Sequence, residues 1–171
     1  MKHLFLFLLV SFLALFSKAQ LSGIKTVGTG KNYTTVAGAI AALNSSGVGS
    51  GGVAFEVDAG HTETFSSRTA GLITASGTVS NPVVFRKSGT GINPRITAPT
   101  GTSNDLDGVI IISGGDYITF DGIDVQEKSG NTTAVTRMEW GYGILKANAA
   151  DGSSNIIIRN CRITLNKLNT A

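Results

Sequence analysis

Three aspartates, Asp116, Asp121 and Asp124, lie close together in the sequence. Carboxylates that converge on one site bind calcium, and a pair of them acts as general acid and general base. Asp116, however, falls in a Gly-rich turn. The other two are expected to face arginines, which favour permanently ionised carboxylates over an acid and base pair. The sequence therefore assigns no catalytic residue.

An aromatic cluster, Glu139-Trp140-Gly141-Tyr142, follows a polar insertion over Glu127 to Arg137. Exposed Trp and Tyr rings pack against sugars, and a nearby carboxylate accepts hydrogen bonds from their hydroxyl groups. We therefore predict Glu139, Trp140 and Tyr142 as binding residues, with a polysaccharide or cell-surface glycan as partner. The alternative is that Trp140 or Tyr142 covers the edge of the core beside the insertion.

His61 and Cys161 are the remaining residues with reactive side chains. His61 follows a strand without a second metal-ligating residue, so a surface or hydrogen-bonded role is expected. Cys161 takes an inward strand position, which favours a buried, inert thiol, and a single cysteine excludes an intrachain disulfide. We predict no metal site and no cofactor; calcium is expected only if the protein is a lyase.

One helix and several strands must position these groups. The helix is predicted over 35–44, with Thr34 or Thr35 as its N-cap and Asn44 to Gly47 as its end. Its apolar face has the spacing i, i+3, i+4 and i+7 and consists of Val36, Ala39, Ile40 and Leu43. Gly47 to Gly52 is predicted to be a loop. Short β-rich segments follow, and they cover 53–57, 83–85, 109–112, 118–125, 142–145 and 156–163.

A weak internal repeat relates the later strands. Residues 118–125 align with 156–163 at an offset of 38, so that apolar positions match and Gly122 falls opposite Asn160. Both residue types tolerate the left-handed backbone of a sharp bend. Residues 83–86 align with 118–121 at an offset of 35. A strand, a bend and a second strand at variable spacing indicate a β-solenoid.

The repeat also predicts contacts between neighbouring strands. Asp121 is expected to pair with Arg159 and Asp124 with Arg162, because adjacent strands lie about 4.8 Å apart. Arg86 would stack on Asp121 from the other side. We interpret this Arg–Asp–Arg ladder as structural. The alternative is a polysaccharide or calcium site.

Several motifs resemble right-handed parallel β-helix proteins of the pectin-lyase-like superfold. Asn32-Tyr33-Thr34-Thr35-Val36 and the following helix resemble the N-terminal cap of these proteins, including pectin methylesterases. Residues 60–63 resemble the Gly-x-x-x-Glu neighbourhood of that family, one residue short, and residues 115–122 and 154–161 resemble its coils. The overall pattern is most similar to secreted or cell-surface β-helix proteins of Bacteroidetes-type bacteria. The resemblance implies an all-β, right-handed parallel β-helix (a solenoid) with a short N-terminal capping helix.

The N-terminal segment, 1–19, has the three parts of a cleavable signal peptide. Lys2 and His3 precede an apolar run from Leu4 to Phe16, and Ala19 would precede the cut. This run is shorter than the roughly 20 residues that a membrane-spanning helix requires. Without Lys2 and Lys18, 12 of the 14 Lys and Arg residues remain against 11 acidic residues. No basic stripe remains, so we expect no nucleic-acid partner and no membrane span in the mature chain.

The predicted organisation is a signal peptide over 1–19, an N-terminal cap over 20–50 and the first coils of a parallel β-helix over 51–171. Because no capping segment follows the last strand, we expect a C-terminal truncation. The predicted function is that of a secreted or cell-surface protein, a non-enzymatic structural, adhesion or glycan-binding module. The alternative is the N-terminal part of a polysaccharide-degrading enzyme, either a polysaccharide lyase or a pectin-esterase-like protein.

Overall fold

A computed structural model of the chain describes residues 19–102 and 107–166, and these ranges are mostly β-structure. The predicted signal peptide lies outside the described residues except for Ala19. One α-helix, α1 (Val36–Ser46), and two short 3-10 helices, Arg68–Gly71 and Ala134–Thr136, accompany the strands. The strands are β1 (Leu21–Val27), β2 (Val48–Asp58), β3 (Thr62–Thr64), β4 (Leu72–Ile73), β5 (Val83–Ser88), β6 (Arg95–Thr97), β7 (Gly108–Ser113), β8 (Ile118–Asp121), β9 (Asp124–Gln126), β10 (Trp140–Leu145), β11 (Ile157–Arg159) and β12 (Ile163–Thr164).

The strands form three parallel sheets. The five-stranded sheet has the order β1-β2-β5-β8-β11, the four-stranded sheet β12-β9-β6-β3 and the three-stranded sheet β10-β7-β4. From β2 onward the chain visits the five-stranded, four-stranded and three-stranded sheets in turn and then repeats this cycle. The prediction of an all-β protein is therefore confirmed, and each cycle adds one parallel strand to each sheet.

The registers confirm the repeat that was read from the sequence. Phe85 pairs with Phe120 at an offset of 35, and Phe120 with Ile158 at an offset of 38. The predicted bends are also present, because Gly122 and Asn160 have φ values of 72° and 56°. Both bends lie between a strand of the five-stranded sheet and a strand of the four-stranded sheet.

An aromatic stack runs through the core behind the five-stranded sheet. Phe55, Phe85 and Phe120 are fully buried, and consecutive rings lie parallel with centroids 4.6 and 4.9 Å apart. Tyr33 and Tyr142 pack against the two ends with tilted rings. Offset-stacked rings gain favourable interaction beyond the burial of their area. The stack therefore ties one cycle of the chain to the next.

The helix lies where it was predicted. Val36, Ala39, Ile40 and Leu43 are all buried, and Thr35 caps the start by accepting a hydrogen bond from the Gly38 amide. The helix ends at Ser46, slightly later than predicted, before Gly47 with a φ of 68°. This positive φ is a backbone conformation that glycine adopts without steric cost.

The prediction of a loop over Gly47 to Gly52 is wrong for most of this segment. Strand β2 begins at Val48, and its register against β1 shifts between the Leu21–Val48 and Gly23–Val53 pairs. The glycines thus form an irregular bulge within a strand. Four strands, β1, β3, β4 and β6, were not predicted.

Candidate functional site

A cleft of about 710 Å³ lies on the outer face of the three-stranded sheet. Its floor is apolar and contains Leu72, Ile111 and Leu145, one from each strand. Gly108 and Gly143 leave room for the Ile111 side chain, because a Cβ at either position would lie 2.3 or 2.5 Å from Ile111 Cδ1. The floor is therefore flat and closely packed, with Ile111 only 8% exposed.

The wall of the cleft carries hydroxyl groups and is fixed by an ion pair between a buried aspartate and a partly exposed arginine. Asp107 is fully buried and pairs with Arg68 Nε. Thr102 donates its backbone amide to the same carboxylate, and its hydroxyl accepts from Arg68 Nη1 at 3.2 Å. The ion pair is surrounded by hydrogen-bond donors, as a buried carboxylate requires. The hydroxyl groups lining the cleft belong to Ser66, Ser67, Thr69, Thr100, Thr102 and Ser113.

Trp140 lies on the same outer face as this cleft. It pairs with Gly108 in register, and its Cβ is 3.4 Å from the position that a Cβ would take at Gly108. Its side chain also lies 3.6 Å from the corresponding position at Gly143. Trp140 is 39% exposed. The two glycines thus place an aromatic ring beside the apolar floor.

Glu139 and Tyr142, the other two predicted binding residues, are used within the protein. The Glu139 carboxylate accepts from the Asp107 amide at 2.9 Å, which fixes the start of β10 beside β7. Tyr142 faces the core, where its hydroxyl donates to the Ile123 carbonyl at 2.7 Å and its ring packs on Phe120. Burial raises the pKa of Tyr142 well above its usual range. Of the three residues, Trp140 is the most exposed.

The three aspartates do not converge. Asp116 lies in a turn, where its Oδ1 accepts from both the hydroxyl and the amide of Ser154, and the hydroxyl contact does most to lower its pKa. Asp121 lies on the five-stranded sheet and Asp124 on the four-stranded sheet. Among the described residues, no three His, Cys, Asp or Glu side chains are grouped so that they could hold a metal ion.

The predicted charge ladder is correct in part. Asp121 pairs with Arg159 as expected, with Nη2 and Oδ2 2.9 Å apart. Arg86 is in register with Asp121, but its ion pair is with Glu56, at 2.6 Å. The predicted contact of Asp124 with the Arg162 guanidinium is wrong. Its carboxylate instead accepts from the Arg162 backbone amide and from the Asn93 side chain, which a loop brings to it.

His61 and Cys161 both have structural surroundings. His61 Nε2 lies 3.4 Å from Glu63 Oε2, so the predicted hydrogen-bonded role is confirmed. Cys161 takes the predicted inward position, and its Sγ accepts from the Ile123 amide at 3.4 Å. The thiol is half-buried rather than fully buried.

None of the residues that line the cleft was identified from the sequence, whereas Trp140, which lies beside it, was. An alignment of 108–113 with 140–145, at an offset of 32, would have placed Gly108 opposite Trp140. No sequence alignment of this kind predicts the ion pair of Arg68, because its partner Asp107 is distant in sequence.

No helix within the described residues is both long enough and apolar enough to cross a membrane. Protein-family models, curated proteins and solved structures were compared with the chain, and none of them matches.

Proposed function

We propose that residues 51–166 are successive coils of a right-handed parallel β-helix and that the protein binds glycans at the surface of a bacterial cell. The fold proposal is supported by the threefold cycle of parallel strands and by the left-handed bends at Gly122 and Asn160. Crossover connections between parallel strands are right-handed in nearly all proteins, which supports the hand. The resemblance of residues 32–36 to the caps of this superfold supports the same assignment.

The observation that carries the functional proposal is the position of Trp140 beside the cleft. A sugar ring has an apolar face and a rim of hydroxyl groups. The apolar floor around Ile111 and the exposed ring of Trp140 match the face, and the hydroxyl side chains of the wall match the rim. Ligand sites typically combine an apolar surface with a few polar groups in this way.

The arrangement of the carboxylates supports a binding module over an enzyme. Asp116, Asp121 and Asp124 each accept hydrogen bonds from their own neighbours and lie on different parts of the fold. A general acid and base pair requires two carboxyl groups on opposite sides of one substrate bond. Asp107, which pairs with the cleft residue Arg68, is fully buried.

Affinity electrophoresis in gels that contain xylan, laminarin, alginate or polygalacturonate tests the cleft. The unmodified protein should be retarded by at least one of these polysaccharides. Trp140→Ala should lose about tenfold or more in affinity, whereas Trp140→Phe should retain most of it because an aromatic face remains. Val79→Ala, at a residue that is 78% exposed outside the cleft, is the matched control.

Equal retardation of Trp140→Ala and the unmodified protein, with unchanged circular dichroism, would contradict the cleft as the glycan site. Products with new reducing ends, or unsaturated products, would instead favour the polysaccharide-degrading alternative. Export is tested separately by N-terminal sequencing of the secreted protein, which should begin at Gln20.

A further inference from the structure

A second groove, of about 440 Å³, lies on the outer face of the four-stranded sheet. One wall is the loop between β5 and β6, where Gly91, Ile92 and Asn93 rise beside the sheet. Ile92 is 77% exposed and gives this wall an apolar edge. The groove lies on a different sheet from the cleft that contains Ile111 and shares no lining residue with it.

Two columns of polar side chains run across the sheet, and six of their eight members line this groove. The registers place Arg95 beside Asp124 and Thr97 beside Gln126, and strand β12 continues both columns. One column contains Thr62, Arg95, Asp124 and Arg162, and the other contains Thr64, Thr97, Gln126 and Thr164. Side chains at paired positions of neighbouring strands point to the same face of the sheet, so they line up in columns across the strands. The floor thus offers hydrogen-bonding groups along the whole width of the sheet.

Arg95 and Arg162 give the groove two available cations. Neither guanidinium has a hydrogen bond or an ion pair with another residue in the described ranges 19–102 and 107–166. They flank Asp124 from the two neighbouring strands, so their backbones are roughly 9–10 Å apart. Other arginines of the fold, such as Arg86 and Arg159, have carboxylate partners.

Asp124 limits the kind of anion that fits between the two arginines. One of its oxygens accepts from the Asn93 side chain and the Arg162 amide, while the other accepts no hydrogen bond from a described residue. A carboxylate in this position repels a continuous row of phosphates but accepts hydrogen bonds from hydroxyl groups. The groove therefore suits a ligand whose anionic groups are separated by hydroxyl-bearing units.

We propose that this groove binds a linear acidic glycan that runs across the strands. Arg95 and Arg162 receive its carboxylate or sulfate groups, and Asp124 and Gln126 bind the hydroxyl groups between them. Guanidinium groups bind such oxyanions through paired hydrogen bonds. The choice of a glycan rests on the proposed function, whereas the need for an anion rests on the two arginines alone.

Isothermal titration with a galacturonate hexasaccharide, a chondroitin sulfate hexasaccharide and neutral xylohexaose tests this proposal. At least one acidic ligand should bind, with an affinity that decreases as salt is added. The Arg95→Gln/Arg162→Gln double variant should lose about tenfold or more of that affinity. Lys25→Gln/Lys146→Gln removes two positive charges outside the groove and should bind as the unmodified protein does.

If the carboxylated and the sulfated ligand both bind, the groove selects its ligand by charge alone. If only one of them binds, the result identifies the anionic group that the groove recognises. The proposal would be overturned if the two double variants lost equal affinity for the acidic ligand, or if the arginine variant lost none. Arginine-dependent binding of a single-stranded DNA hexamer with equal affinity would overturn the choice of a glycan.

The two proposals, for the cleft and for the groove, can be rejected independently of each other. If the acidic ligands do not bind but polysaccharide retention still depends on Trp140, the groove proposal fails and the proposed function stands. If acidic ligands bind through the arginines but Trp140→Ala has no effect, the cleft is wrong and the groove stands.

Discussion

Asp121 and Arg159 form an ion pair between adjacent strands, with Oδ2 and Nη2 2.9 Å apart. The Asn160 side chain donates to the second oxygen of Asp121 at 2.7 Å. Two strands earlier, Glu56 and Arg86 form the equivalent pair. The outer face of the five-stranded sheet thus carries alternating charges in register, and a shift by one strand residue would separate every pair.

The substitution Asp121→Asn should make the free energy of unfolding less sensitive to pH in the acid range. The Asn160 amide, together with Arg159, lowers the pKa of Asp121 in the folded protein. Its contribution is therefore present above the unfolded pKa of about 3.9 and is lost as pH falls through the folded value. At pH 7 the variant should lose about 0.2–1 kcal/mol in free energy of unfolding. Urea titrations from pH 7 to pH 3 measure this difference, which should shrink below about pH 4.

Arg159→Gln should have a smaller effect than Asp121→Asn, because the Asn160 hydrogen bond remains. A larger loss of stability from Arg159→Gln at pH 7 would contradict the order of these two contributions.

Phe85→Ala should be among the most destabilising single substitutions. Phe85 is fully buried between two parallel rings, so its removal leaves a cavity at the middle of the stack. We expect a loss of about 3–5 kcal/mol in free energy of unfolding, measured by urea denaturation. Phe85→Leu should cost less because it fills part of the space. Val79→Ala, at an exposed position, should change stability by no more than about 0.5 kcal/mol.

Glu63→Ala should destabilise the contact between the helix and the strands. Its carboxylate accepts from the Val36 and Ala37 amides at 2.6 and 3.1 Å, at the start of the helix. We expect a loss of about 1–3 kcal/mol, since two partly buried donors lose their acceptor. Glu63→Gln retains an acceptor oxygen and should cost less. Equal stabilities of the two variants in thermal unfolding would contradict this role.

Tyr142→Phe should reduce stability by about 0.5–1.5 kcal/mol through loss of the hydrogen bond to Ile123. Because burial raises the Tyr142 pKa, its folded form holds the proton when an unfolded tyrosine releases it near pH 10. The unmodified protein should therefore lose stability above that pH, and this part of the loss should be absent from the variant. Ultraviolet titration of folded protein should show the same phenolate absorbance for both proteins up to about pH 10.

The sequence predicted strands such as β2 and β8 because their apolar and polar residues alternate. Val53, Phe55 and Val57 are the clearest case, and all three are buried. The bends were predictable for a different reason, since Gly122 and Asn160 are residue types that accept a positive φ. These two signals were sufficient to align β5 with β8 and β8 with β11.

Three of the four missed strands have a physical explanation. Strands β3, β4 and β6 are too short for any periodicity to appear. The partner of Asp124 was misassigned because Asn93 reaches it from a loop, and loop geometry leaves no repeat in the sequence. The cleft was not predicted, since its floor combines strands that are far apart along the chain.

The positions occupied by Phe55, Phe85, Phe120 and Ile158 are unequally spaced along the chain, yet they meet in adjacent strands. The extra residues of the longer intervals therefore lie in segments outside the paired positions. The segment between β9 and β10 is one such place, and its stretch 128–130 is exposed. Foreign peptides grafted into 128–130 should leave the strand pairing intact, so the molecule is suited to carrying exchangeable loops on a constant frame.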